Sequence, residues 1–361
     1  MFDEKGIDLL GTGDYMTMVR ISNDKKSVVC AAACIALLTG CSDTDSTSDA
    51  DGASVAGSES SDGTTAAGDE SGGDSDETGD ETGEEPEPPP PEIGCSAPPS
   101  CDKGVLDDHF FVTDEASVEE IAGYTAVEGQ LIIRRSDVSC MQFLACLERT
   151  EALMIEHNDW LQSLDGLEAL REVRAPDDAT FKYGVIVSAN RLIPDLHGLS
   201  SLEAVTGGDL FVFGNESLET LTGFDALTEV RGDVVISGNP NLVDLGGFGA
   251  LQEIHTYPNP DHKPDLGEPA ILGGSLVVIK HPVLERISGF NALVATHAGV
   301  VLQYNDVLTD LSGLYQLQAI GGGLIVTHNP ELCVSEAYAV GGELLHGPDL
   351  SLSKTIGNKD C

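Results

Sequence analysis

One interval dominates this sequence. Around Asn215, apolar residues fall at fixed offsets: Leu210 and Val212 before it, then Leu218, Leu221, Phe224, Leu227 and Val230 after it, with Gly223 among them. Val234, Ile236, Leu242, Leu245, Gly247, Phe248, Leu251 and Ile254 set the same frame around Asn239. Val300, Leu302, Leu308, Leu311, Gly313, Leu314, Leu317 and Ile320 set it around Asn305. Asn158 and Asn190 open earlier copies, His281 stands in the marker's place in one, and Asn329 opens the last. A degenerate first copy begins at Gly129. Beyond it, equivalent strand residues recur every 24 or 25 positions, except from Leu153 to Val185 and from Val234 to Leu276, where segments are inserted.

A period of this length leaves few folds open. No copy can bury its own apolar side, so the copies must stack. The Leu-x-Val alternation puts two side chains on the inner face of a short strand. The marker asparagine follows where the chain turns, and its amide is expected to bond the turn and the next coil's amide. The glycine eight residues on is expected to supply positive φ at a second corner. The predicted fold is a β-rich solenoid, a right-handed parallel β-helix or leucine-rich-repeat-like stack of about eight coils, with short capping helices and disulfide-capped ends. Asn158, Asn190, Asn215, Asn239, Asn305 and Asn329 are the expected structural ladder. At about 4.8 Å per coil the stack spans roughly 38 Å.

The residues before the repeats have a different chemistry. Residues 42–92 hold seventeen Asp or Glu and no Lys or Arg, set among Ser, Thr, Gly, Ala and Pro. Such a stretch cannot bury enough apolar area to offset chain entropy, so a disordered acidic linker is expected. Over the whole chain 61 acidic residues face 18 basic ones, a formal charge of -43. That balance excludes nucleic acid as a partner and disfavours docking on anionic lipid without a covalent anchor.

Arg20, Lys25 and Lys26 precede an apolar run of eleven residues, Val28 to Leu38. The run is too short to span a bilayer as a helix but fits the core of a signal peptide. It closes on Leu38-Thr39-Gly40-Cys41, which resembles the lipobox of bacterial lipoproteins. The resemblance implies a lipid on Cys41 and a membrane partner through that anchor. The domain order read from the chain is a leader over 1–40, with Met16 or Met18 as alternative starts, and a lipidated cysteine and linker over 41–94. An N-terminal cap over 95–126 and the repeat solenoid with its C-terminal cap over 127–361 follow.

From Asp108 to Cys361 the chain also resembles the receptor L domain, a leucine-rich-repeat-like solenoid that binds ligands. Three stretches carry the likeness: Val118 to Ile133, as an opening helix and first strand; the repeats that begin Gly-Gly-x-Leu-x-Val; and Asn329-Pro330-Glu331-Leu332-Cys333 with Asn358-Lys359-Asp360-Cys361 as a cap. Gly123-Tyr124 stands where that family commonly has a cysteine before its first strand. The resemblance implies a fold and a tendency to bind partners, not a receptor's signalling.

Cys30 and Cys34 lie in the leader, leaving Cys95, Cys101, Cys140, Cys146, Cys333 and Cys361. An even count in an exported domain points to disulfides, whose connectivity sequence leaves open. The expected pairings are Cys333–Cys361 across the C-terminal cap, with Cys95–Cys101 and Cys140–Cys146 at the other end. Zinc ligation is the weaker reading, since no C-x-x-C pair is present.

No G-x-S-x-G, H-E-x-x-H, P-loop or dinucleotide fingerprint occurs, so neither catalytic residues nor a cofactor are expected. The inserts carry the remaining chemistry. Residues 171–182 include Arg171, Arg174, Asp177 and Asp178. Residues 255–272 include His255, Asp261, His262 and Asp265, which form the candidate binding insert; metal ligation there is the sharper alternative to a plain Pro-rich loop. The lone Trp160, just after the first marker, is a packing residue or a ligand contact. A polysaccharide-cleaving β-helix would need paired carboxylates on neighbouring coils. Glu156 is the one acid among the outward strand positions. The reading is therefore a non-catalytic, lipid-anchored envelope protein that binds protein or glycan, with a polysaccharide-active enzyme or a purely structural protein as alternatives.

Overall fold

The computed structural model describes residues 92–176, 183–258, 271–341 and 356–361. Cys41 and most of the preceding leader and linker lie outside them. The described chain opens with β1 (Gly104–Leu106), β2 (Phe110–Val112), helix α1 (Glu115–Ile121), β3 (Tyr124–Arg134) and β4 (Arg149–Glu156). It continues through β5 (Glu172–Arg174), β6 (Tyr183–Ser188), β7 (Ala204–Thr206), β8 (Asp209–Phe213), β9 (Glu229–Arg231) and β10 (Val234–Ser237). It ends with β11 (Glu253–Pro258), β12 (Ile271–Gly273), β13 (Leu276–Ile279), β14 (Ala295–Thr296), β15 (Val300–Gln303), β16 (Ala319–Ile320), β17 (Leu324–Thr327) and helix α2 (Val334–Gly341).

These elements form a parallel β-solenoid of about eight turns. One face is a sheet in the order β3, β4, β6, β8, β10, β13, β15, β17, every neighbour parallel. A second face stacks β5, β7, β9, β11, β14 and β16 in the same sense. Single bridges joining Thr220, Asp244, Arg286 and Asp310 mark a third side. The inward residues of the frame line the interior: Leu210, Val212, Leu218, Leu221, Phe224, Leu227 and Val230 are all 0% exposed. At the ninth position after the marker, Phe224, Phe248 and Phe290 stack with centroids 5.1 and 4.6 Å apart.

The marker residues form the ladder that the repeat predicts, and it is longer than the asparagines alone. Each marker side chain accepts the backbone N–H of the marker one coil earlier, at 2.9–3.3 Å, from Ser136 through Asn158, Asn190, Asn215, Asn239, His281, Asn305 and Asn329 to Asn358. Each then donates to a strand carbonyl of the previous coil at 2.7–3.2 Å. Buried backbone groups that would otherwise be orphaned at this corner are thereby paired. His281 fits because Nδ1 accepts from Asn239 while Nε2–H donates to Ile236, which requires the neutral ring. Burial accordingly drives its pKa down to about 4.

The residue just before each marker takes the left-handed backbone region, as Arg135, His157, Ala189, Gly214, Gly238, Lys280, Tyr304 and His328 all show. The glycine expected to give positive φ at the second corner has a different common cause. Gly166, Gly223 and Gly247 do adopt it, while Gly198, Gly289 and Gly313 are not among the positive-φ residues. A Cβ at Gly198 would sit 1.9 Å from the Leu164 carbonyl oxygen, and one at Gly223 2.0 Å from that of Leu196. Close stacking of coils, rather than φ, excludes a side chain there.

Disulfides close both ends, with one correction. Cys333–Cys361 forms as expected. The other four cysteines pair as Cys95–Cys140 and Cys101–Cys146, not as sequence neighbours. Ile93 bridges Val138 in parallel, so segment 93–101 runs beside segment 138–146. Both segments carry cysteines at the same spacing, and parallel alignment joins each to its counterpart. The Cα separations of 4.9 and 5.4 Å suit the bond. α1 is held by a capping box in which Asp114 accepts from Ser117 N at 2.9 Å and Ser117 Oγ accepts from Asp114 N at 3.0 Å.

Candidate functional site

The outward side of the main sheet carries an apolar row. Ile132, Met154, Ile186, Phe211, Val235, Val277, Val301 and Ile325 are register neighbours on eight successive strands. Beside it, Phe213 lies next to Phe211 on the outer face of β8, and both rings are half-buried. Four residues of the row are buried, Ile186 at 5%, Val235 at 7%, Val277 at 2% and Val301 at 8%. Glu156 is buried in the adjoining row, where it accepts from Ser188 Oγ at 3.2 Å and lies 3.8 Å from Arg134 Nε. Among the described residues, the outward positions four and two before each marker therefore offer no carboxylate pair.

A surface depression of about 340 Å³ opens at the ladder corner of the first coils, lined by Arg135, Ser136, Asp137, His157, Asp159 and Trp160. Arg135 and His157 are the left-handed residues of successive coils, and that turn throws their side chains outward. Trp160 is half-exposed, so its indole presents an apolar face beside two carboxylates and a guanidinium.

The second sheet has an outward pair of positions that changes from coil to coil. Successive strands carry Glu172 and Arg174, Ala204 and Thr206, Glu229 and Arg231, then Glu253 and His255. Ala295 and His297 follow, since Ile254 pairs with Thr296. Arg174 sits 3.7 Å from Glu172, and Arg231 donates to Glu229 at 2.6 Å. In the next coil histidine replaces arginine, and the coil after that brings a second histidine alongside. Glu253 Oε2 is then 3.5 Å from His255 Nε2 and 3.1 Å from His297 Nε2. The imidazole centroids are 4.6 Å apart, tilted by 45°.

Of the candidate insert, only His255 falls in this cluster. Asp261, His262 and Asp265 lie outside the described residues, as do Asp177 and Asp178 of the first insert. Sequence reasoning missed Glu253 and His297. The available signal was the Glu-x-His pair at the place where earlier coils read Glu-x-Arg.

One paired carboxylate does bridge neighbouring coils, at the entry to the main sheet. Asp209 Oδ1 accepts from Asp233 N at 2.7 Å, and Asp233 Oδ1 from Ser275 N at 2.8 Å. Burial, then the charge of Asp233, pushes the Asp209 carboxyl up to about 8. Burial likewise raises Asp233 and, with the two aspartates nearby, the Tyr257 phenol. Each aspartate spends an oxygen on the next coil's backbone, which makes the pair a second, shorter ladder.

Comparison with known protein families, characterised proteins and solved structures finds no match.

Proposed function

We infer that this chain is an exported, lipid-anchored envelope protein whose solenoid binds a protein or glycan partner without catalysing a reaction. Cys41 after its charged and apolar leader supports the anchor. The three disulfides belong to an oxidising compartment. The resemblance to receptor L domains supports a presenting surface. The observation that carries the binding reading is the pair of aromatic rings Phe211 and Phe213, half-buried on the outward face of β8. Aromatic rings left partly open to solvent are enriched at recognition surfaces.

The reading is tested by immobilising the full-length chain and probing it with fractionated envelope proteins and glycans, beside a glycan-hydrolysis screen. Saturable binding that Phe211→Ser and Phe213→Ser abolish at unchanged melting temperature is the expected result. Sugar cleavage lost on changing a single Asp or Glu would replace it with the enzymatic alternative. For the anchor, metabolic labelling with an alkyne fatty acid should mark the wild type and not Cys41→Ser.

A further inference from the structure

We propose that Glu253, His255 and His297 form a surface site for a divalent first-row transition ion, of the borderline class to which Zn²⁺ belongs.

The topology builds the site. Glu253 and His255 are two apart on β11, so both project from the same side of the strand. His297 follows Thr296, the register partner of Ile254, which brings it onto the same side from the adjoining coil. The three donor atoms lie within 4.8 Å of one another, Glu253 and His255 half-buried and His297 exposed. Donors bound to one Zn²⁺ at about 2.0–2.2 Å lie roughly 3.0–3.5 Å apart. The separations of 3.1 and 3.5 Å between the carboxylate oxygen and the two Nε2 atoms already match that span.

The chemistry of the donor set is selective. Two imidazoles and one carboxylate suit zinc, nickel, copper or iron and are poor for calcium or magnesium. Earlier coils place arginine at the His255 position, and a guanidinium cannot ligate. Two histidines are aligned only where the sequence departs from that pattern. Three protein donors leave coordination positions open to solvent, so a bound ion retains room for a ligand supplied from outside. The site also stands at the root of the inserted hairpin, where Thr256, Tyr257 and Pro258 leave the parallel stack to pair antiparallel with β12.

The test uses the full-length, untagged, disulfide-intact chain, stripped with chelator and titrated with Zn²⁺ against a chromophoric competitor. His255→Ala, His297→Ala and Glu253→Gln are measured in parallel, so that cations held by the acidic linker are common to all four proteins. The expected result is one competitor-resistant Zn²⁺ per chain, weakened at least about tenfold in each histidine variant. Zn²⁺ should also raise the melting temperature of the wild type and leave that of His255→Ala unmoved. Because the side chains point outward, the variants should melt with the wild type in chelator, which separates lost ligation from misfolding. Equal Zn²⁺ affinity in the wild type and both histidine variants would overturn the proposal, as would no uptake by the wild type.

Discussion

Two corners of the same coil behave in opposite ways. Where the main sheet ends, eight ladder residues from Asn158 to Asn358 each accept from one neighbour and donate to a carbonyl of that neighbour. On the outer side of the second sheet, equivalent positions change from Glu and Arg to Ala and Thr and then to Glu and His. The first corner is inside, and each rung is its neighbour's hydrogen-bond partner, so a deviation leaves a buried group unpaired. The second faces solvent, and no buried backbone group depends on it for a partner. Repetition therefore marks what holds the stack, and the break in repetition marks where chemistry is placed.

Four substitutions break or sharpen this contrast. The largest effect should come from Gly198→Ala. Its Cβ would press on the Leu164 carbonyl, backbone against backbone, and a loss of about 3 kcal/mol is expected in urea unfolding. His281 should give the ladder a pH dependence. Its folded pKa, about 4, lies below the ordinary value, so the unfolded chain takes up a proton first as pH falls. Stability is then fully present above the unfolded pKa of about 6.5 and drains away between that value and the folded one, by about 2 kcal/mol at pH 5. His281→Asn keeps the rung and should flatten that slope. Next in size, Ala189→Gly relieves a left-handed backbone that Gly214 and Gly238 already occupy in later coils, a gain of up to about 1 kcal/mol. Asp209→Asn should show the opposite sign of pH dependence. Burial and the neighbouring Asp233 hold the folded carboxyl above the ordinary aspartate range, so its ionisation erodes stability as pH rises through and above that range. The variant should match the wild type at pH 3.5 and melt above it at pH 8.

Most of the stack was legible because its inward positions are periodic, and periodicity is visible in a single sequence. Val212, Ile236 and Leu302 sit on the inward side of consecutive or near-consecutive strands as the frame requires. The C-terminal end of the ladder was not legible, since Asn358 lacks the apolar residues five and three before it, while Ser136 holds the marker's place in the degenerate first copy without being an asparagine. The left-handed residue before each marker was hidden because Arg, His, Ala, Lys and Tyr share no chemistry at that place. The disulfides at the N-terminal end were misread because proximity in sequence was taken for proximity in space, while parallel stacking joins residues 45 apart. The histidine cluster was half visible. His255 was singled out, but Glu253 and His297 are 44 residues apart, and the insert between their coils disguises the register that unites them.

The sharpest trial of the division between the two corners is a pair of denaturant midpoints in chelator, Asn239→Ala beside Glu253→Ala. The first strips the acceptor from Asn215 N–H and the donor from the Val212 carbonyl, and should cost about 3 kcal/mol. The second removes an outward carboxylate and should leave the midpoint where it was. Equal losses in the two variants would contradict the claim that the inner ladder holds the stack while the outer row is free to carry function.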